Sequence, residues 1–119
     1  MAYIPKALLR RLYVKGSMAV TPEGLTFKLK NSLAPASLNK PVRITVDGVE
    51  ADPSRLKVVV NGVEVDWLPS DEKPLEVPLG AEVAITVPGS FEKGKHKIVV
   101  QMSVKGYGEG SFDFEDEAA

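Results

Sequence analysis

His96 is the one histidine in the sequence and the one side chain whose ordinary pKa lies near neutrality, so general-base chemistry would run first through it. A Ser-His-acid arrangement would recruit it, and serines are present. No Gly-x-Ser-x-Gly elbow occurs, however, to present a nucleophile. Standing between the Lys93-Gly94 turn and an apolar run, His96 also fits the start of a strand with its ring at the margin of the core. It is therefore the candidate catalytic residue, and no complete catalytic set accompanies it. Asp113, Glu115 and Glu117 project to one side of a regular C-terminal strand, with Asp116 nearby, and an oxygen-only group of that kind suits Ca²⁺ or Mg²⁺. These carboxylates are the candidate metal ligands, although their spacing is not that of an EF-hand loop. A solvated acidic edge that discourages strand-to-strand aggregation accounts for the same residues. Gly106, Gly108 and Gly110 precede a strand rather than a helix, so they read as a bulge or kink and not as a phosphate cradle.

Trp67 and Leu68 stand at a strand end beside a proline-rich connection, and Tyr107 sits on the glycine-rich bend. Large side chains of this kind, left partly exposed, are typical anchors of protein interfaces. Trp67, Leu68 and Tyr107 are the candidate interface residues, with burial in the core the alternative for Trp67. Trp67 or Tyr107 could instead serve as a stacking platform for a sugar beside the carboxylates.

Composition narrows the chemistry further. The absence of cysteine removes disulfides, thiolate metal sites and cysteine nucleophiles together. No cofactor motif is present and no cofactor is expected. A formal charge of −1 argues against a general polyanion binder. The basic N-terminal segment, with Lys6, Arg10, Arg11 and Lys15, reads as the wet face of a docked helix, so a nucleic-acid partner is not expected. No window approaches the roughly 18 to 20 apolar residues that span a bilayer. The same four cations interrupt the apolar run that a secretory signal needs, making a cytoplasmic location the expectation. Amide side chains are confined to Asn31, Asn39, Asn61 and Gln101, a bias expected of a thermophile source.

The elements that must position these residues follow from periodicity. At 119 residues, 44% hydrophobic and 26% charged, the chain is expected to form one domain over residues 1–119. Pro5 followed by Lys6 to Leu12 predicts a short helix that lids one end of the core with Leu8, Leu9 and Leu12. Tyr13 to Val20 predicts a strand that ends at the Thr21-Pro22-Glu23-Gly24 turn. Leu25, Phe27 and Leu29 alternate with polar residues, as do Val42, Ile44 and Val46, and as do Val83, Ile85 and Val87. Asn31 to Pro41 reads as a loop. Asp47-Gly48 and Asn61-Gly62 each lie between β-rich runs, the pattern of tight type I′ hairpins. Leu75 to Leu79 predicts a brief edge segment. His96 to Val104 predicts the longest and most central strand, and Ser111 to Glu115 the last. About seven or eight short strands with one helix predict an all-β, Ig-like two-layer sandwich, the alternative being a partly open OB-like barrel.

Four segments together are similar to the small β-sandwich subunit of bacterial C-glycoside deglycosidases and to short uncharacterised archaeal relatives. They are Gly24-Leu25-Thr26-Phe27-Lys28-Leu29, Val42 to Val49 with Val46-Asp47-Gly48, the Val58 to Trp67 hairpin, and Gly94-Lys95-His96-Lys97-Ile98-Val99-Val100. The resemblance covers most of the chain. It implies an accessory role beside a larger barrel subunit that holds the metal and the catalytic groups, and it carries no catalytic residue over to this sequence. The expected function is thus a non-catalytic assembly module that homo-oligomerises or joins a larger enzyme subunit. The alternatives are a carbohydrate- or small-ligand-binding sandwich, and a deglycosidase-type enzyme component that uses His96.

Overall fold

Alternating apolar residues pair off into two antiparallel layers, each presenting one apolar face to the other. The structure, a computed structural model, describes residues 3–65 and 68–119. In chain order the described residues form β1 (Tyr3–Ile4), α1 (Lys6–Leu9) continued by a 3-10 turn (Arg10–Leu12), β2 (Ala19–Thr21), β3 (Gly24–Lys30) and β4 (Ala36–Leu38). There follow β5 (Arg43–Val46), β6 (Val49–Glu50), a 3-10 turn (Pro53–Arg55), β7 (Lys57–Val60), β8 (Val63–Val65) and β9 (Leu75–Val77). The chain closes with β10 (Glu82–Pro88), β11 (Gly94–Val104) and β12 (Gly108–Ala118).

One sheet runs β2-β3-β10-β7-β8. The other is built on β11, which pairs with β12 on one side and with β5 and β4 on the opposite side; β1 adds to β12 in parallel, β6 to β5 and β9 to β4. The pairing of β11 with β12 runs from Gly94 opposite Ala118 to Val104 opposite Gly108. Period-2 alternation then sends Ile98, Val100, Val104 and Phe112 into the core, while Lys95 and Lys97 lie outside opposite Glu117 and Glu115. From the facing sheet Leu25, Phe27, Val58 and Ile85 meet them, and the buried residues form one hydrophobic cluster. The peripheral strands β1, β2, β6, β8 and β9 are each two or three residues long, which limits the unpaired edge offered to another chain.

Both expected hairpins form. Asp47 and Gly48 have φ of 49° and 86°, Asn61 and Gly62 of 49° and 84°, the positive pair that a type I′ turn requires. The helix is shorter than two full α turns, ending as a 3-10 turn at Leu12, but it does lid the core, with Leu9 buried.

The expected count of seven or eight strands is too low. The Asn31 to Pro41 stretch, expected as loop, contains β4, whose partner β9 lies far along the chain. The Tyr13 to Val20 strand is reduced to β2 plus an isolated bridge from Tyr13 to Leu29. Positive φ at Gly106 and Gly108 makes the turn between β11 and β12, and β12 runs well beyond the expected Ser111 to Glu115. Two open layers form and no closed barrel, which removes the OB-like alternative.

Gly24 shows how closely the layers are built. It has φ of 149°, and a Cβ there would run into the backbone carbonyl of Val87 on β10. Gly24→Ala is expected to lower unfolding stability by about 3 kcal/mol or more, read as a shift of the urea midpoint. A near-neutral Gly24→Ala would contradict this register of β3 against β10.

Candidate functional site

His96 opens the inner face of β11, its side chain 11% exposed, and both ring nitrogens are engaged. Nδ1 lies 2.6 Å from Asp47 Oδ2, and Nε2 lies 2.6 Å from the Glu92 carbonyl oxygen. A carbonyl oxygen and an ionised carboxylate can only accept, so the ring satisfies both when it is protonated and donates twice, an arrangement that favours the imidazolium. The Glu92 carbonyl and then the Asp47 carboxylate raise its pKa above the ordinary value. Asp47 is itself held by the backbone N–H of Lys97, 2.8 Å from Oδ1, and by His96, and these lower its pKa. The Phe91 ring lies edge-on to the imidazole at 6.0 Å. His96 thus ties the β5–β6 turn to the segment entering β11, with both ring nitrogens occupied by partners within the fold.

The acidic residues of β12 are likewise tied to cations and amides. Asp113 receives Arg10 Nη2 at 2.9 Å and Lys6 Nζ at 3.4 Å, with Lys97 Nζ at 3.9 Å. The Arg10 guanidinium, then Lys6, lowers its pKa. Glu115 and Glu117 are exposed on the same face, opposite Lys97 and Lys95 in the neighbouring strand. Asp116 Oδ2 accepts from the Gly16 backbone N–H and the Tyr13 hydroxyl, each at 2.7 Å. Tyr13 stacks on Phe114 with ring centroids 3.9 Å apart, and burial, followed by the bond to Asp116, pushes its pKa up to about 12. Among the described residues no three His, Asp or Glu side chains gather as a metal-binding group.

The surface candidates fall in different places. Trp67 lies outside the described residues. Leu68 is about half exposed and borders a shallow depression with Leu56 and Val65. Tyr107, 57% exposed, stands on the β11–β12 turn. Asp113 lies six residues further along an extended strand, about 20 Å away. Tyr107 and the carboxylates are therefore not brought into one sugar-sized site.

Tyr107 instead marks the mouth of a cavity that sequence reasoning did not find. Between the two sheets, at the end covered by α1, lies an apolar cavity of about 200 Å³. Leu29, Val83 and Ile85 wall it on one side, Val100, Met102 and Val104 on the other. Its exposed lining residues, among them Leu8, Pro35 and Tyr107, place the mouth between α1, the β3–β4 loop and the β11–β12 turn. A closed cavity of this size would cost about 5 kcal/mol in a packed core. No local pattern announces such a space, because its walls come from six or more separate segments.

The His96 tie carries a pH dependence. A histidine whose folded pKa is raised lends stability that is fully present below its unfolded pKa of about 6.5 and is lost as pH rises through the folded value. Asp47 contributes with the opposite sign, losing its stabilisation as pH falls through its depressed folded pKa. His96→Gln is expected to cost about 1–2 kcal/mol near pH 6 and progressively less toward pH 9, in urea melts across that range. A constant difference would contradict the doubly donating ring.

No curated protein matches the chain. One family model does, over residues 8–119, and its description is "Hydroxymethylglutaryl-CoA reductase, N-terminal domain". The match agrees with a small module of a larger enzyme, and it replaces the C-glycoside deglycosidase subunit as the family. The span takes in the second half of α1, every strand but β1, the His96 tie and nearly the whole cavity lining, of which Ile4 alone lies outside it. By that match over nearly its whole length, the chain belongs to the family of hydroxymethylglutaryl-CoA reductase N-terminal domains.

Proposed function

We propose that the chain is a non-catalytic accessory module that assembles with a larger enzyme subunit, in the first instance one with hydroxymethylglutaryl-CoA reductase activity. The observation that carries this reading is the engagement of both nitrogens of His96, the sole histidine, by partners within the fold. Membership of a family described as one domain of a reductase supports it.

The anchors proposed for assembly are Trp67, Leu68 and Tyr107, joined by Leu8, which is 39% exposed on α1. Leu8 and Tyr107 both border the cavity mouth, so one partner surface could cover them together. The proposed location is cytoplasmic, in keeping with the finding that no helix among the described residues is long and apolar enough to cross a membrane.

Co-expression with the larger reductase subunit of the same source, followed by native mass spectrometry, is expected to yield one complex of fixed stoichiometry. Tyr107→Asp should weaken that complex at least tenfold. His96→Gln should leave the turnover of the assembled enzyme unchanged. Separate species at micromolar concentrations would overturn the assembly reading, and lost turnover in His96→Gln would overturn the non-catalytic one.

A further inference from the structure

We propose that the cavity between the sheets is a binding site for a small uncharged apolar molecule, a short alkyl chain or a benzene-sized ring. Three observations carry the proposal. The first is size: an apolar cavity of about 150 Å³ holds benzene, so about 200 Å³ accepts a group of roughly six to eight carbons.

The second is the chemistry of the wall. Both sheets contribute Leu, Ile, Val and Met side chains, and the one buried polar residue among those described, Asn31, is already satisfied. Its two Nδ2 hydrogens are shared among the carbonyls of Ala34, Val77 and Pro78, and its Oδ1 accepts from the Leu33 N–H. Lys30 and Tyr107, the lining residues with other polar side-chain groups, are both exposed, so the inner walls offer a polar ligand group no free side-chain partner, and a charge drawn deep inside would lose its water without replacement.

The third is access. The β3–β4 loop brings small residues, Ala34, Pro35 and Ala36, to the wall beside Leu8 and Tyr107. Side chains that stop short there leave space open to the surface, where larger ones would have completed the core. The basic depression on the outer face of the β11 sheet has no comparable opportunity. Its Lys6, Lys40 and Arg43 are already paired with Asp113, Glu109 and Glu50. The proposal stands independently of assembly with a larger subunit.

Titration of the purified full chain with benzene and with 1-hexanol, followed by methyl NMR, tests it. Saturable shifts are expected at Val83, Ile85 and Val100, together with a melting temperature about 4 °C higher at tenfold excess over the dissociation constant. Hexanoate, the charged counterpart, should bind at least tenfold more weakly. Ala36→Leu and Leu33→Phe, which narrow the cavity from within and leave Leu8 and Tyr107 in place, should each lower affinity at least tenfold. The wild-type methyl map decides the location without either variant. No saturable shift up to the solubility limit, shifts confined to the outer surface, equal binding of hexanoate, or unchanged affinity in a folded cavity-narrowing variant would each overturn the proposal.

Discussion

The pairing of β11 with β12 is the interaction on which the other parts rest. Its inner face supplies Ile98, Val100, Val104 and Phe112 to the core, and its free sides recruit the remaining strands of that sheet. β12 then serves as a rail for the N-terminal segment. β1 lies parallel to it, Arg10 and Lys6 reach Asp113, and Tyr13 and Gly16 reach Asp116. The backbone of Ala119, just past its end, exchanges hydrogen bonds with Met18 and Val20. The segment so held carries α1, whose Leu8 and Leu9 roof the cavity. Gly110 is fitted to this contact, because a Cβ there would come within 2.7 Å of Leu9 Cδ1.

The charged groups that invite a chemical reading work mainly as ties between distant segments. Asp47 and His96 are 49 residues apart, and Arg10 and Asp113 are 103 apart. An exposed pair such as Arg10 with Asp113 contributes little, commonly under about 1 kcal/mol, while the largely buried His96 ring with its two acceptors contributes about 1–2 kcal/mol. Their value here lies in which segments they join: the β5–β6 turn to the entrance of β11, and the N-terminal segment to β12. An imidazolium donating to two acceptors holds such a join more firmly than a neutral ring, which would leave one acceptor unmatched.

What could be read from the sequence is what local interactions decide. Asp47-Gly48 and Asn61-Gly62 carry their turn geometry in the residues themselves, and the alternation in 25–29, 83–87 and 96–104 states both strand and inward face. Segments whose structure comes from a distant partner were not readable. β4 sits in a stretch flanked by Pro35 and Pro41 and exists because β9 and the end of β11 bond to it. The same limit applied to the site. His96 was found by its type, but its role depends on Asp47 and Glu92, which only the fold brings together. Asp113, Glu115 and Glu117 did share a face, yet the cations opposite them come from α1 and β11, so a metal-like pattern became a set of ion pairs and exposed ends. The cavity had no signature at all, because it is defined by where side chains of several elements stop.

Membership of the N-terminal domain family, two packed sheets, a doubly engaged histidine and an apolar mouth are the observations behind the proposal of an accessory, binding role. The state of one ring tests that account most directly. Nitrogen NMR of ¹⁵N-labelled His96 at pH 7 is predicted to show both ring nitrogens protonated, with both N–H protons coupled to their acceptors at Asp47 and Glu92. A neutral ring with one pyridine-like nitrogen open to solvent would contradict it and return His96 to the list of catalytic bases.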